Sequence, residues 1–192
     1  MKRKNIVLIF ITSILVVAML ICLITSDFFG VAIKGLIHIT DDKDYTCTTQ
    51  VLTDSVEFSL DLKNPSSNVG KRVFESENCY IEISKIDPDD EHFRVFFRAY
   101  GEYSTKTAKL ITGTNRADNS VDLYAKLKIK DTDSYYECSG AGTSSMYKNG
   151  DEFGFYILPD EYIQSNNIAD TNDISTLTLR LYDLTLHEWR HT

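Results

Sequence analysis

The sequence is short of several things at once. It has only 3 Pro, 9 Gly and one Trp in 192 residues, which excludes collagen-like and Pro- or Gly-rich disordered chains. It also lacks positive charge: 20 Lys and Arg stand against 28 Asp and Glu, a net charge of -8 with His neutral. Such a chain has no electrostatic footprint for nucleic acid. No lysine-bearing phosphate loop, no G-x-S-x-G nucleophile turn and no N-x-S/T glycosylation sequon occurs, since Asn64-Pro65-Ser66 is blocked by its proline. No motif names a family.

What is present is apolar and ordered. Apolar residues make up 43% and charged residues 25%, and the length suits one domain. A run of 19 residues from Ile6 to Ile24 contains no charge, Gly or Pro, and only Thr12 and Ser13 interrupt it. As a helix it covers roughly 28 Å, close to the hydrocarbon thickness of a bilayer. Lys2, Arg3 and Lys4 precede it, while Asp27 and a single Lys34 follow, so the positive-inside rule places the N-terminus in the cytoplasm and the rest outside. The apolar run is longer than a secretory h-region, and Ile24-Thr25-Ser26 is a tolerable but not strong cleavage site, so an uncleaved anchor is the reading and a cleaved signal peptide its alternative. Cys22 follows Met19-Leu20-Ile21, which is no lipobox. The expected organisation is a basic tail over residues 1–5, a signal anchor over 6–24, a juxtamembrane segment over 25–40, read as an interfacial helix, and an extracytoplasmic domain over 41–192.

That domain carries 16 Lys and Arg against 27 Asp and Glu, net -11. Its periodicity is two. Val56, Phe58, Leu60 and Leu62 alternate with polar residues, as do Val121, Leu123, Ala125, Leu127 and Ile129. Such runs are half-buried strands. Cys79, Ile81 and Ile83, then Phe93, Val95, Phe97 and Ala99, then Leu177, Leu179 and Leu181 repeat the pattern, and Leu184 and Leu186 are out of phase as after a bulge. Asn64-Pro65-Ser66-Ser67, Asp87-Pro88-Asp89-Asp90 and Asn149-Gly150 read as turns, the last as a hairpin turn with positive φ. The only helical stretch expected is a turn or two from Pro159 to Gln164, with Pro at the first helical position. The fold class is all-β, an antiparallel immunoglobulin-like sandwich behind a single transmembrane helix, although the Cys-Trp-Cys order of antibody domains is missing.

His187-Glu188-Trp189-Arg190-His191 matches H-E-x-x-H, in which a helix presents two His to zinc and the Glu acts as base. The residues leading into it read as a strand, so the bland reading is a polar strand end. Cys47, Cys79 and Cys138 allow one disulfide pair among them, with one thiol left over. Cys79 is in the apolar phase of its strand and fits a buried thiol; a Cys-His pair has no local support. Acidic clusters at Asp41-Asp42-Lys43-Asp44, Asp87 to Glu91 and Asp131-Thr132-Asp133 lack the continuation of a calcium loop. Lys126, Lys128 and Lys130 beside Tyr124, and Arg94 and Arg98, form basic strand faces that neighbouring carboxylates can satisfy. The Gly- and Ser-rich stretch from Ser139 to Gly150 reads as a loop and is the candidate ligand site, through Ser139, Thr143, Ser144, Ser145 and Tyr147. The function expected is a membrane-anchored extracytoplasmic module that binds a protein or cell-envelope partner, without catalysis, metal, cofactor or nucleic acid. The alternative is an extracytoplasmic zinc hydrolase built on the C-terminal H-E-W-R-H.

Overall fold

The computed structural model of the chain describes residues 3–24, 27–88, 93–116, 122–131 and 134–192, and within these not the side chains of residues 3–9, 23–24, 27, 88, 145–146 and 172. The molecule is mostly β, with sandwich-like antiparallel sheets preceded by helices. The period-two runs form strands because alternate side chains can bury while the others stay wet. Val95, Phe97 and Ala99 of β5 (Phe93–Tyr100) are buried, as are Leu127 and Ile129 of β10 (Lys126–Lys130) and Leu177, Leu179 and Leu181 of β13 (Thr176–Tyr182).

The larger sheet has eight strands in the order β2 (Val56–Asp61), β13, β10, β11 (Tyr135–Tyr147), β12 (Gly150–Ile157), β5, β4 (Cys79–Pro88) and β3 (Arg72–Ser76). It curls until its two edges approach each other. Phe58 of β2 meets Phe97 of β5 edge-on at 5.7 Å, and Phe97 also contacts Phe153 and Phe155 of β12. Buried Asn68 ties the β2–β3 connection down: its amide oxygen accepts from the Asp61 N–H and its amide nitrogen donates to the Asp61 carbonyl. The smaller sheet has the order β1 (Tyr45–Val51), β14 (Thr185–His191), β7 (Thr107–Thr112) and β6 (Glu102–Tyr103). Its β7 packs on β4, β5 and β12, which closes the sandwich over Leu110, Ile111 and Ala99. Two short strands, β8 (Thr114–Asn115) and β9 (Asp122–Leu123), pair with each other.

Several expectations are corrected. The sandwich-like arrangement is present, but its sheets hold eight and four strands, where an immunoglobulin domain has seven to nine in all. Leu184 and Leu186 do not follow a bulge; Asp183, at φ 57, turns the chain out of the larger sheet and into the smaller one. The run through Leu123 to Ile129 is two strands, because the N–H groups of Tyr124 and Ala125 both bond the Gly113 carbonyl, and Val121 lies outside the described residues. Ser139 to Tyr147 belong to β11, with register shifts after Gly140 and Ser144, and are not a loop. The Asn149-Gly150 turn exists without positive φ; its glycine is required because a Cβ there would fall 1.8 Å from the Ala99 carbonyl oxygen. The short helix near Pro159 is α4 (Asp160–Ser165), with Pro159 as its N-cap.

Ahead of the sheets lie α1 (Arg3–Ile24), α2 (Asp27–Lys34) and α3 (Leu36–Asp41). Gly35, at φ 60, breaks the last two apart, so Lys34 and His38 do not share one continuous helix. Val31, Leu36 and Ile39 are buried, and the Leu36 N–H bonds the Lys148 carbonyl at 2.8 Å, fastening the segment to the β domain. Among the described residues no helix is long and apolar enough to cross a membrane; of α1, the side chains of residues 10–22 are described.

Candidate functional site

The residues singled out along Ser139 to Tyr147 are spread along β11 and converge on no single site. Ser139 is exposed and borders two shallow recesses of about 310 and 460 Å³, one with Tyr156 and Pro159, the other with Leu123 and Lys126. Thr143 pairs with Phe153 and Ser144 with Glu152. The Tyr147 ring lies 3.8 Å beneath the Arg98 guanidinium. The Ser145 side chain lies outside the described residues.

Three of the five residues in the basic rows pair with carboxylates, while Lys128 lies over the Tyr182 ring and Arg98 over Tyr147. Lys130 and Arg180 both contact Glu57, Arg94 contacts Asp87, and Lys126 contacts Asp183. Of the acidic clusters, Asp42 accepts the Asp44 N–H as a turn residue does; Asp89 to Glu91, His92, Thr132 and Asp133 lie outside the described residues. Cys22, Cys47, Cys79 and Cys138 are all free thiols, so no disulfide joins the three considered. Cys79 donates to the Lys109 carbonyl at 3.5 Å. Burial raises the Cys79 thiol and pushes Cys138 up to about 12.

The H-E-x-x-H residues lie in β14, where the chain is extended. Four residues of strand separate two side chains by roughly 13 Å, too far for one ion. His191 stacks edge-on against Tyr45 at 5.0 Å, while His187 is fully buried against Trp189. The helix that the zinc reading requires is not formed. Among the described residues no three His, Cys, Asp or Glu side chains gather as a metal site.

The structure instead assembles a polar centre between the sheets. Thr185, His187 and Trp189 share the buried face of β14. The His187 ring reaches the Thr114 carbonyl through Nε2 at 3.0 Å. A carbonyl only accepts, so Nε2 carries the proton and Nδ1 presents a lone pair. Facing Nδ1 are Thr49 Oγ1 at 3.2 Å and Cys47 Sγ at 4.0 Å, both from β1. Asp151, fully buried at the start of β12, accepts from the Thr112 hydroxyl, from Thr114 Oγ1 at 2.6 Å and from Arg116 Nε at 3.2 Å. The Arg116 side chain is 7% exposed, and among the described residues its Nη2 has no partner; neither does the buried Thr185 Oγ1.

Burial lowers the His187 imidazole below 6.5, against the opposing pull of its bond to Thr114 and the Asp151 charge. Burial also raises the Cys47 thiol above 9, with the Thr49 bond and the Arg116 charge acting the other way. At neutral pH both groups are uncharged. No known protein family, curated protein or solved structure matches the chain, so the chemistry of these groups has to be argued from their geometry.

Sequence reasoning missed this centre because Asp151 follows a turn and Thr112 and Thr114 sit in a polar stretch. One signal was available: Thr185, His187 and Trp189 fall in one period-two phase, as buried residues of a strand do.

Proposed function

We propose that the chain is a membrane-tethered, extracytoplasmic β-sandwich module that binds a protein or cell-envelope partner and carries out no catalysis of its own. The observation that supports this reading is α1. Every described side chain from residue 10 to residue 22 is exposed, Phe10 at 67% and Met19 at 67% among them, although nearly all are apolar. Exposed apolar surface on that scale calls for a cover, and lipid suits a helix whose sequence run is 19 residues long. Residues Phe28 and Ile33, exposed at 60% and 66%, extend the same apolar character onto α2, whose Val31 is buried. The domain would therefore sit close against the membrane surface, with the basic residues Lys2 to Lys4 on the cytoplasmic side.

The test is crosslinking of the full-length protein in its native membranes, with quantitative mass spectrometry against an anchor-only control lacking residues 41–192. Recovery in the carbonate-washed membrane fraction, together with one partner enriched near stoichiometry over the control, is the expected result. Release into the carbonate wash would overturn the tether. Enrichment of no protein or envelope component over the control would overturn the binding role.

A further inference from the structure

We propose that Cys47 is a base-assisted thiol that forms a mixed disulfide with a low-molecular-mass disulfide, using His187 Nδ1 as the proton acceptor. The pieces are a nucleophile, a base within reach of it and a third group that orients the base, which is the arrangement an activated nucleophile requires. Cys47 is an exposed residue on β1, an edge strand that among the described residues pairs with β14 alone. Its Sγ lies 4.0 Å from His187 Nδ1, and the Thr114 carbonyl fixes the ring so that the Nδ1 lone pair faces the thiol. In the resting arrangement the thiol also lies 3.7 Å from the Thr48 carbonyl, and Thr49 Oγ1 competes for Nδ1. A small rotation of the thiol toward Nδ1 engages the base; unliganded sites commonly show such loose geometry.

Burial opposes charge on both groups, and the charged side chains around the pair offset it in part. Asp151 on β12 stabilises a protonated His187, and Arg116 after β8 stabilises a thiolate at Cys47 while opposing charge on His187. Arg116 is held by Asp151 through Nε, and its Nη2 has no partner among the described residues.

In the reaction, Nδ1 takes the Sγ proton as Sγ attacks one sulfur of R–S–S–R. The Sγ–S bond forms and the S–S bond breaks, its electron pair leaving on RS⁻. RS⁻ then collects the proton from Nδ1. Cys47 is oxidised to the mixed disulfide, one sulfur of the co-reactant is reduced to a thiol, and His187 returns to its neutral form. A reducing thiol reverses each step.

The experiment uses the full chain in detergent with Cys22→Ser and the probe 4,4′-dithiodipyridine, the modified residue being mapped by mass spectrometry. Cys79 and Cys138 are 0% and 5% exposed and stay unmodified in the folded protein. An unassisted thiol reacts in proportion to its thiolate, so its rate climbs about tenfold per pH unit between 6 and 8. With His187 as base the rate changes by less than about threefold between pH 7 and 8, because an imidazole held below 6.5 is unprotonated there. In His187→Gln the steep slope returns and the rate at pH 6 falls about tenfold or more. A wild-type profile as steep as that of a free thiol overturns the proposal, as does a folded His187→Gln chain with an unchanged profile. The wild-type profile decides the matter even where the variant does not fold.

Discussion

The two sheets bury different kinds of side chain. The inner face of the eight-stranded sheet is apolar but for Asp151 of β12: Leu60, Ile81, Ile83, Phe97, Leu127, Ile129, Phe153 and Leu179 are all fully buried, and its other charged groups form ladders on the outer face, such as Glu57 with Lys130 and Arg180. The four-stranded sheet buries Thr112, Thr185 and His187 among its apolar residues, and the polar centre it shares with Asp151 and Arg116 is not fully satisfied. One sheet therefore holds the domain together through area removed from water. The other carries groups whose contribution depends on orientation, and natural proteins keep such groups in their interiors chiefly where they are bonded or used.

The first way to break this contrast is to remove area from the apolar sheet. Phe97 is fully buried and touches Phe58, Phe153 and Phe155. Phe97→Ala is expected to cost about 3–5 kcal/mol, from lost transfer free energy and the cavity left behind. Urea unfolding measures it, and a loss below about 1.5 kcal/mol would mean that the curled sheet can collapse into the gap.

The second is to remove one charge from the polar centre. Asp151→Asn preserves shape but leaves Arg116 buried without its counter-ion and places an amide against donors. The expected cost is about 3 kcal/mol. Glu57→Gln, which weakens an exposed network with the same chemistry, should leave the unfolding midpoint nearly unchanged. Equal losses at the two sites would show that the buried centre is no more demanding than the surface rows.

How far the sequence discloses this molecule follows the same division. The apolar phases of β2, β5, β10 and β13 were legible because burial on one face of a strand imposes period two, and these faces bury as read. What stayed hidden was which sheet a strand joins. Nothing local distinguishes Leu181 in one sheet from Leu186 in the other, since the switch rests on Asp183 alone and on where the N–H groups find partners. Composition misled at Ser139 to Tyr147, where Gly and Ser suggested a loop although the segment is paired with β12; Gly142, at φ 132, accommodates the irregular register. The centre around His187 joins residues 47, 114, 116, 151 and 187 from four segments, and no spacing motif can encode such a convergence.

The finest distinction between the sheets is their response to pH. His187, in the four-stranded sheet, is depressed below 6.5 by burial. When pH falls through 6.5 the unfolded chain takes up this proton before the folded one does, so the stability that is complete above 6.5 is lost as pH falls toward the folded value. Cys138, in the eight-stranded sheet, is raised from 9.0 to about 12. Its contribution is complete below 9 and is lost as pH rises from there toward 12, because the unfolded thiol ionises first. Glu57 and Asp87 are lowered from 4.5 and 3.8 and act only at more acid pH. Unfolding midpoints across the pH range in wild type, His187→Gln and Cys138→Ala separate the two limbs. His187→Gln should flatten the slope just below pH 6.5 and leave the alkaline limb in place, and Cys138→Ala should lessen the alkaline limb, to which the raised Cys79, Cys47 and Tyr100 also contribute, and leave the acid slope in place. If His187→Gln retains the acid slope, the imidazole is not held neutral by the sheet around it, and the base assigned to Cys47 would already be protonated near pH 6.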